Sequence, residues 1–171
     1  MKKLVVAGVA TLGLGFGNAA LATEGTITIT GFVSDKTCTI NQGSGNKTVP
    51  LSSIAMSSLP AGQTAGVTPF TLEFSGCSAT KVRAHFEPGS NVDAATGDLK
   101  NTEAGGSNVQ VSILNDAQQR IDLRNNSNSQ QVEVTDGSAT LLYHAAYRAP
   151  AGAAATAGSV KTTVEYSMDY E

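Results

Sequence analysis

The chain has 171 residues, a length typical of one domain. It carries 11 basic and 14 acidic residues, a net charge of −3, and the basic residues are scattered along the sequence. A nucleic-acid or anionic-membrane partner needs a concentrated basic patch, so the charge pattern argues against both.

The first 22 residues have the three parts of a secretory signal peptide. Two lysines begin the chain, an apolar run covers Leu4 to Gly17, and Ala20-Leu21-Ala22 is a cleavage site of the A-x-A type. The run is shorter than the roughly 20 residues of a spanning helix, so we expect export and cleavage, and no direct membrane insertion. Removing residues 1–22 of 171 would leave 149 residues, with nine basic and 14 acidic side chains and a net charge of −5.

The chain has two cysteines, Cys38 and Cys77. In an exported protein a lone pair is far more often a disulfide than two free thiols. The bond would close a loop of about 40 residues and stabilise the fold by about 4 kcal/mol in the chain-entropy estimate. A metal site is a poor alternative, because the cysteines and the two histidines, His85 and His144, show no ligand spacing. We therefore expect a disulfide and neither metal nor cofactor.

Beyond the leader, short runs rich in Val, Ile, Thr, Tyr and Phe alternate with Gly, Ser, Asn, Asp and Pro. This pattern, without a long amphipathic helix, predicts an all-β sandwich. In chain order we predict strands at 26–33, 37–40, 69–76, 81–87, 108–114, 120–123, 131–135 and 139–149, an extended piece at 47–51, one helical turn within 54–59, loops at 52–66, 90–106 and 150–157, and turns at Asn115-Asp116 and Asp136-Gly137.

The last segment has the clearest pattern of the whole chain. Its residues alternate in character up to the final position, which predicts a half-buried strand. Chain ends usually fray, so we expect something to hold this strand in place. One face is formed by Val160, Thr162, Val164, Tyr166, Met168 and Tyr170, and the other by Lys161, Thr163, Glu165, Ser167, Asp169 and Glu171.

The sequence contains none of the common catalytic motifs. It has no G-x-S-x-G elbow, no H-E-x-x-H pair and no carboxylate pair with diagnostic spacing. His85 and His144 each lie in a predicted strand, where a lone histidine is more often a packed or surface residue than a catalytic base. We therefore expect that the protein is not an enzyme.

Four segments, taken in order behind a signal peptide, resemble the type 1 pilin family of chaperone–usher fimbriae. The first is Gly25-Thr-Ile-Thr-Ile-Thr-Gly-Phe-Val33 ahead of Cys38, and the second is Phe70-Thr-Leu-Glu-Phe-Ser-Gly-Cys77. The third is Leu142-Tyr-His-Ala-Ala-Tyr-Arg-Ala149 with the small-residue loop after it. The fourth is the ending, in which Gly158 is fourteenth from the C-terminus and Tyr170 is penultimate.

The resemblance implies an incomplete immunoglobulin-like β-sandwich that lacks its last strand, so that a groove exposes the core and two strand edges. Residues 35–171 would form this domain, and residues 23–34 would be an N-terminal extension. In the family, a periplasmic chaperone first fills the groove with its own strand. The extension of the next subunit replaces that strand at the outer-membrane usher, which is donor-strand exchange.

The resemblance assigns residues to both sides of this joint. The donor strand would present Gly25, Ile27, Ile29, Gly31 and Val33 to the groove of a neighbouring subunit. The receiving side would include Gly158, Val164, Tyr166, Met168, Tyr170 and Glu171, with the Glu171 carboxylate facing basic residues of the chaperone.

Two alternatives stay open at this stage. Residues 26–33 would be an ordinary first strand if they folded into their own domain. The function we expect is a structural subunit of an extracellular cell-surface fimbria that is exported through the periplasm, polymerises with neighbouring pilins and supports cell adhesion. The alternative is a minor tip or adaptor subunit, or an adhesin, with a ligand-binding role; the single domain and the donor-like strand favour the shaft.

Overall fold

The computed structural model describes residues 28–30, 33, 35 and 37–171. The predicted signal peptide and the donor residues Gly25, Ile27 and Gly31 lie outside the described residues. Short single turns of 3-10 helix occupy Asn41–Gly43 and Met56–Ser58. The strands are β1 Thr39–Ile40, β2 Thr64–Ser75, β3 Lys81–Phe86, β4 Leu99–Lys100, β5 Gln110–Leu114, β6 Gln131–Glu133, β7 Ala139–Arg148 and β8 Tyr166–Tyr170.

The strands form two antiparallel sheets, as the all-β prediction requires. The larger sheet has the order β1-β2-β7-β5-β4, and the smaller sheet has the order β6-β3-β8. Strands β1 and β8 therefore each lie at an edge of their sheet. An edge strand leaves one row of backbone N–H and C=O groups without a strand partner.

The main core is built from alternate residues of both sheets. Leu72 and Leu141 of the larger sheet and Val82 of the smaller one are almost completely buried. Tyr143 lies at the centre, with its ring edge-on to Phe86 at a centroid distance of 5.3 Å. Burial raises the pKa of Tyr143 to about 12. Such cross-sheet packing of alternate residues is what the alternating sequence predicts.

The predicted disulfide between Cys38 and Cys77 is confirmed, and their Cα atoms are 4.1 Å apart. The bond lies at the start of β1 and the end of β2, where Thr39 pairs with Ser75. The covalent link therefore fastens the short edge strand β1 to the long strand beside it.

Strand β2 begins at Thr64 and is five residues longer at its start than we predicted. A β-bulge shifts the register between Ala65 and Thr68, which interrupts the regular alternation. Gly66 has a φ of +68°, and a Cβ there would lie 2.9 Å from the Tyr147 ring. Gly66, the last residue of the predicted loop at 52–66, is therefore the residue that lets the strand bend.

The predicted polar loop at 90–106 contains the short strand β4, which pairs with β5 through Leu99 and Val111. The adjacent Asp98 is fully buried. Its carboxylate accepts hydrogen bonds from the Ser112 hydroxyl at 2.8 Å, Arg148 at 3.2 Å and Arg120 at 3.3 Å. The partners come from distant positions in the chain, so no local pattern predicts this cluster.

Candidate functional site: an open cleft beside the C-terminal strand

The last 13 residues run along the rest of the fold and are held on one side only. The Lys161 carbonyl accepts a hydrogen bond from the Thr102 N–H at 2.8 Å, and the Glu165 carbonyl accepts one from the Glu87 N–H at 2.9 Å. The register of β8 with β3 continues this pattern to the C-terminus. Odd-numbered residues therefore bind the body of the protein, and the backbone groups of even-numbered residues face the opposite, open side.

The burial of side chains follows the same two-residue period. The even-numbered side chains from 160 to 170 are half-buried, and the odd-numbered ones from 161 to 171 are exposed. All of the even-numbered side chains line one cleft, and they are Val160, Thr162, Val164, Tyr166, Met168 and Tyr170.

The cleft has a volume of about 1410 Å³ and lies between the edges of the two sheets. Its opposite wall is Ile40 and the segment 45–51. We predicted an extended piece at 47–51 and a polar turn before it. Its floor consists of core side chains of the larger sheet, among them Phe70, Val111 and Ile113. A long apolar floor between two sheet edges has the shape that an added β-strand would fill.

Only side chains join the two walls. Among residues 37–171, no backbone hydrogen bond connects the segment 37–51 with the segment 159–171. The Tyr166 hydroxyl donates a hydrogen bond to the Gly45 carbonyl at 2.5 Å. Burial raises the pKa of Tyr170, and its hydroxyl lies beside the Cys38 backbone and the Thr37 side chain, which partly offset that shift.

The chain's own strand β3 holds the C-terminal residue. The Glu171 N–H donates to the Lys81 carbonyl at 3.1 Å, and the Glu171 carbonyl accepts the Thr80 hydroxyl at 2.9 Å. Outside the cleft, Arg83 and Asp169 form an ion pair at 3.1 Å. These contacts supply the restraint that we expected for a strand ordered to the end of the chain.

Gly158 lies where this edge begins, and only glycine fits there. Its φ is +153°, and a Cβ would lie 2.5 Å from the Ser107 nitrogen and 2.7 Å from the Gly106 carbonyl carbon. A side chain would therefore push the edge away from the loop that supports it. Gly158 thus positions the start of the 159–171 segment and does not itself line the main cleft.

Two donor residues of the resemblance lie within the described part of the chain. The Ile29 side chain is 91% exposed, and the Val33 side chain is 96% exposed.

The sequence patterns missed one polar feature of the cleft. The Thr162 hydroxyl is buried and has no hydrogen-bond partner among the described residues. The neighbouring positions on the same inner face are apolar, Val160 and Val164. Alternation places Thr162 on the inner face but does not show whether its hydroxyl finds a partner. A buried hydroxyl that stays without a partner costs about 1–3 kcal/mol.

Neither histidine forms a catalytic arrangement. His144 is buried, and its Nδ1 lies 3.1 Å from the Asn115 carbonyl oxygen. His85 lies 3.4 Å from the Asn126 side-chain amide. Within the described residues, no cluster of three or more His, Cys, Asp or Glu side chains is arranged to hold a metal ion. No helix in this part of the chain is long and apolar enough to cross a membrane.

The sequence profile of the fimbrial protein family matches residues 24–171. The chain belongs to this family. This fimbrial protein is therefore related to structural components of cell-surface pili, which are not enzymes.

Relatives over almost the whole length agree with this assignment. The fimbrial protein is 40% identical over 166 residues to the F17 fimbrial protein of Escherichia coli, which covers 90% of this chain and 91% of that one. It is 43% identical over 163 residues to the major fimbrial subunit SMF-1 of Stenotrophomonas maltophilia, with coverage of 89% and 95%. It is thus a structural pilus subunit by family.

Solved structures show the same fold. A subunit of a chaperone–usher pilus has a TM-score of 0.63 at 20% identity and covers 87% of this chain and 96% of its own. The P pilus rod subunit PapA has a TM-score of 0.62 at 20% identity, with coverage of 78% and 99%. The predicted fold, an incomplete immunoglobulin-like sandwich, is confirmed.

Proposed function

We propose that this fimbrial protein polymerises by donor-strand exchange, in which the extension of one subunit, residues 23–33, fills the cleft of the next. The observation that carries the proposal is the 160–170 edge. Its alternate backbone groups face an empty cleft, and its alternate side chains line the same cleft. Strand addition needs both features together, because hydrogen bonds give affinity and alternate pockets give specificity.

The extension has the composition that such a cleft needs. Ile27, Ile29 and Val33 fall on one face of an extended segment, with Gly25 and Gly31 in register. Burying three or four such side chains is worth roughly 5–10 kcal/mol gross. The alternative, a first strand folded into its own domain, predicts instead that the cleft is filled by the chain's own residues 26–33.

An open edge beside an apolar cleft is an aggregation hazard before assembly. We therefore propose that a periplasmic chaperone fills the cleft first, and that exchange takes place at an outer-membrane usher. The relatives include a protein named as a major fimbrial subunit, which supports a role in the shaft. In this role the subunit supports adhesion by building the fibre.

The substitution Ile29→Asp tests the proposal. A carboxylate in an apolar cleft costs several kcal/mol, whereas the same group on a solvated extension costs almost nothing. We expect the variant to be exported and to bind its chaperone one-to-one, yet to form no long fibres in electron micrographs. The matched control is Thr28→Asp, which places the same charge on the other face and should leave assembly largely intact. Normal fibres from Ile29→Asp would overturn the proposal.

A further inference from the structure

One hydrogen bond spans the middle of the empty cleft. The Tyr166 hydroxyl reaches from β8 to the Gly45 carbonyl on the opposite wall at 2.5 Å. Burial raises the pKa of Tyr166, and the nearby Tyr170 adds to the shift, so the hydroxyl keeps its proton and remains a donor near neutral pH.

The Gly45 carbonyl belongs to the wall that an added strand must also bind. A strand lying between two edges sits about 4.8 Å from each, and it uses the backbone acceptors of both. In the empty cleft, Tyr166 occupies the Gly45 acceptor. The oxygen can accept two hydrogen bonds, but the tyrosine side chain that reaches it crosses the cleft that an incoming strand must enter.

We infer that Tyr166 controls the rate of strand uptake, because its hydroxyl holds the Gly45 wall against β8 until an incoming strand from a second copy of this chain displaces it. This inference rests on the proposed function. Tyr166 is a positioning residue: it fixes the separation of the two walls in the unoccupied subunit and does not determine which strand binds.

The other two tyrosines of the cleft differ from Tyr166. Tyr170 lies beside Cys38, where the disulfide already restrains the wall. Tyr147 also lines the cleft, but its hydroxyl forms no hydrogen bond with any residue in 37–171, and burial alone raises its pKa. Removing the Tyr147 hydroxyl therefore controls for the loss of a phenol group from the same cleft.

The test measures uptake of a fluorescent peptide with the sequence of residues 23–33 by the mature chain. For Tyr166→Phe we expect about three- to tenfold faster association, the range that corresponds to loss of one ordinary hydrogen bond. Dissociation of the peptide should change by less than about twofold, because the bond is already broken in the filled cleft.

Two controls isolate the hydrogen bond. Tyr147→Phe should bind and release the peptide at the wild-type rates. Gly45→Ala keeps the acceptor carbonyl, and its Cβ would lie an ordinary 3.9 Å from the Tyr166 hydroxyl, so it should also behave as wild type. If the empty Tyr166→Phe chain does not stay folded, each chain is refolded with the peptide and dissociation from the filled subunit is compared.

The outcomes separate the inference from the proposed function. Association of Tyr166→Phe at the wild-type rate would overturn the role of Tyr166, as would faster dissociation from the filled subunit. Failure of the wild-type chain to take up the peptide would contradict donor-strand exchange itself.

Discussion

The fold has one face that the chain closes with its own residues, on the larger sheet, and one edge that it leaves open, beside β8 of the smaller sheet. On the face of β5 and β7 away from the main core, Ser112 and Ala146 are fully buried, and Asp98 is bound by one hydroxyl and two guanidinium groups. Beside β8, by contrast, the cleft exposes core side chains and an unpaired strand edge.

The contrast shows two ways of treating buried polar groups. On the closed face the chain's own side chains pair the buried Asp98 carboxylate, because an unpaired buried charge would strongly destabilise the fold. In the cleft, backbone groups of even-numbered residues from 160 to 170 and the Thr162 hydroxyl have no partner among residues 37–171. In the proposed assembly a neighbour completes this cleft, so the two regions separate what the subunit does alone from what we propose that a neighbour does.

The largest effect should follow from a charge in the cleft. Val164→Asp would place a carboxylate against the apolar floor of the cleft. Burying this charge under an added strand would destabilise the strand-filled subunit by several kcal/mol. We expect fibre formation to be lost, as counted in electron micrographs. Thr163→Asp, one residue earlier on the exposed face, should assemble normally. Equal loss with both variants would mean that the inner face has no special role.

A substitution on the closed face should lower the free energy of unfolding of the subunit itself, and not only its assembly into fibres. Asp98→Ala removes a fully buried carboxylate and leaves Arg120 and Arg148 without their partner. We expect a loss of about 3 kcal/mol in the free energy of unfolding of the strand-filled subunit, measured with denaturant. Asp116→Ala, at an exposed carboxylate, should change it by less than about 0.5 kcal/mol. A neutral Asp98→Ala would show that the cluster does not stabilise this face.

These two regions also differ in how far the sequence predicts them. The strict alternation from Val160 to Tyr170 is local and has a fixed period, so it predicts the receiving edge and its inner face. Asp98 lies in a polar stretch, and its partners Arg120 and Arg148 are 22 and 50 residues away. Local patterns carry no information on such distant pairings, so the closed face was missed.

Local sequence patterns predicted only one wall of the cleft, the strand at 160–170, and not the wall formed by 45–51. The segment 45–51 is extended but not paired as a strand, and nothing in its composition marks it as a wall. Its position follows from the disulfide and from the pairing of β1 with β2. The donor assignment came from the resemblance to pilins, and the roles of all its residues stay predictions: Gly25, Ile27, Ile29, Gly31 and Val33.

A glycine at the start of the edge offers a smaller test. Gly158→Ala would bring a Cβ within 2.5 Å of the Ser107 backbone, whereas Gly152→Ala meets nothing within 4 Å. We expect Gly158→Ala to lower the free energy of unfolding by about 1–3 kcal/mol, because the edge must shift away from its loop. Gly152→Ala should be neutral in the same denaturant titration. Equal values for the two variants would contradict the packing argument.

The smallest effect should come from the unsatisfied hydroxyl. Thr162→Val replaces it with a methyl group of similar size, which removes an unpaired polar atom from the cleft. We expect the strand-filled subunit to gain about 1 kcal/mol in stability against denaturant. Thr163→Val, on the exposed face, should give no such gain. A loss of stability in Thr162→Val would show that the filled cleft provides a partner for the hydroxyl.

The most direct test of the central claim is deletion of residues 23–33 from the mature chain. A first strand folded into its own domain could not be removed without exposing core, so the truncated protein would unfold or be degraded. A donor strand acts on another molecule, so its removal should spare the subunit. The account predicts that the truncated chain is recovered as a one-to-one complex with its chaperone and forms no fibres. Failure to recover that complex, or fibres of normal length from the truncated chain, would contradict it.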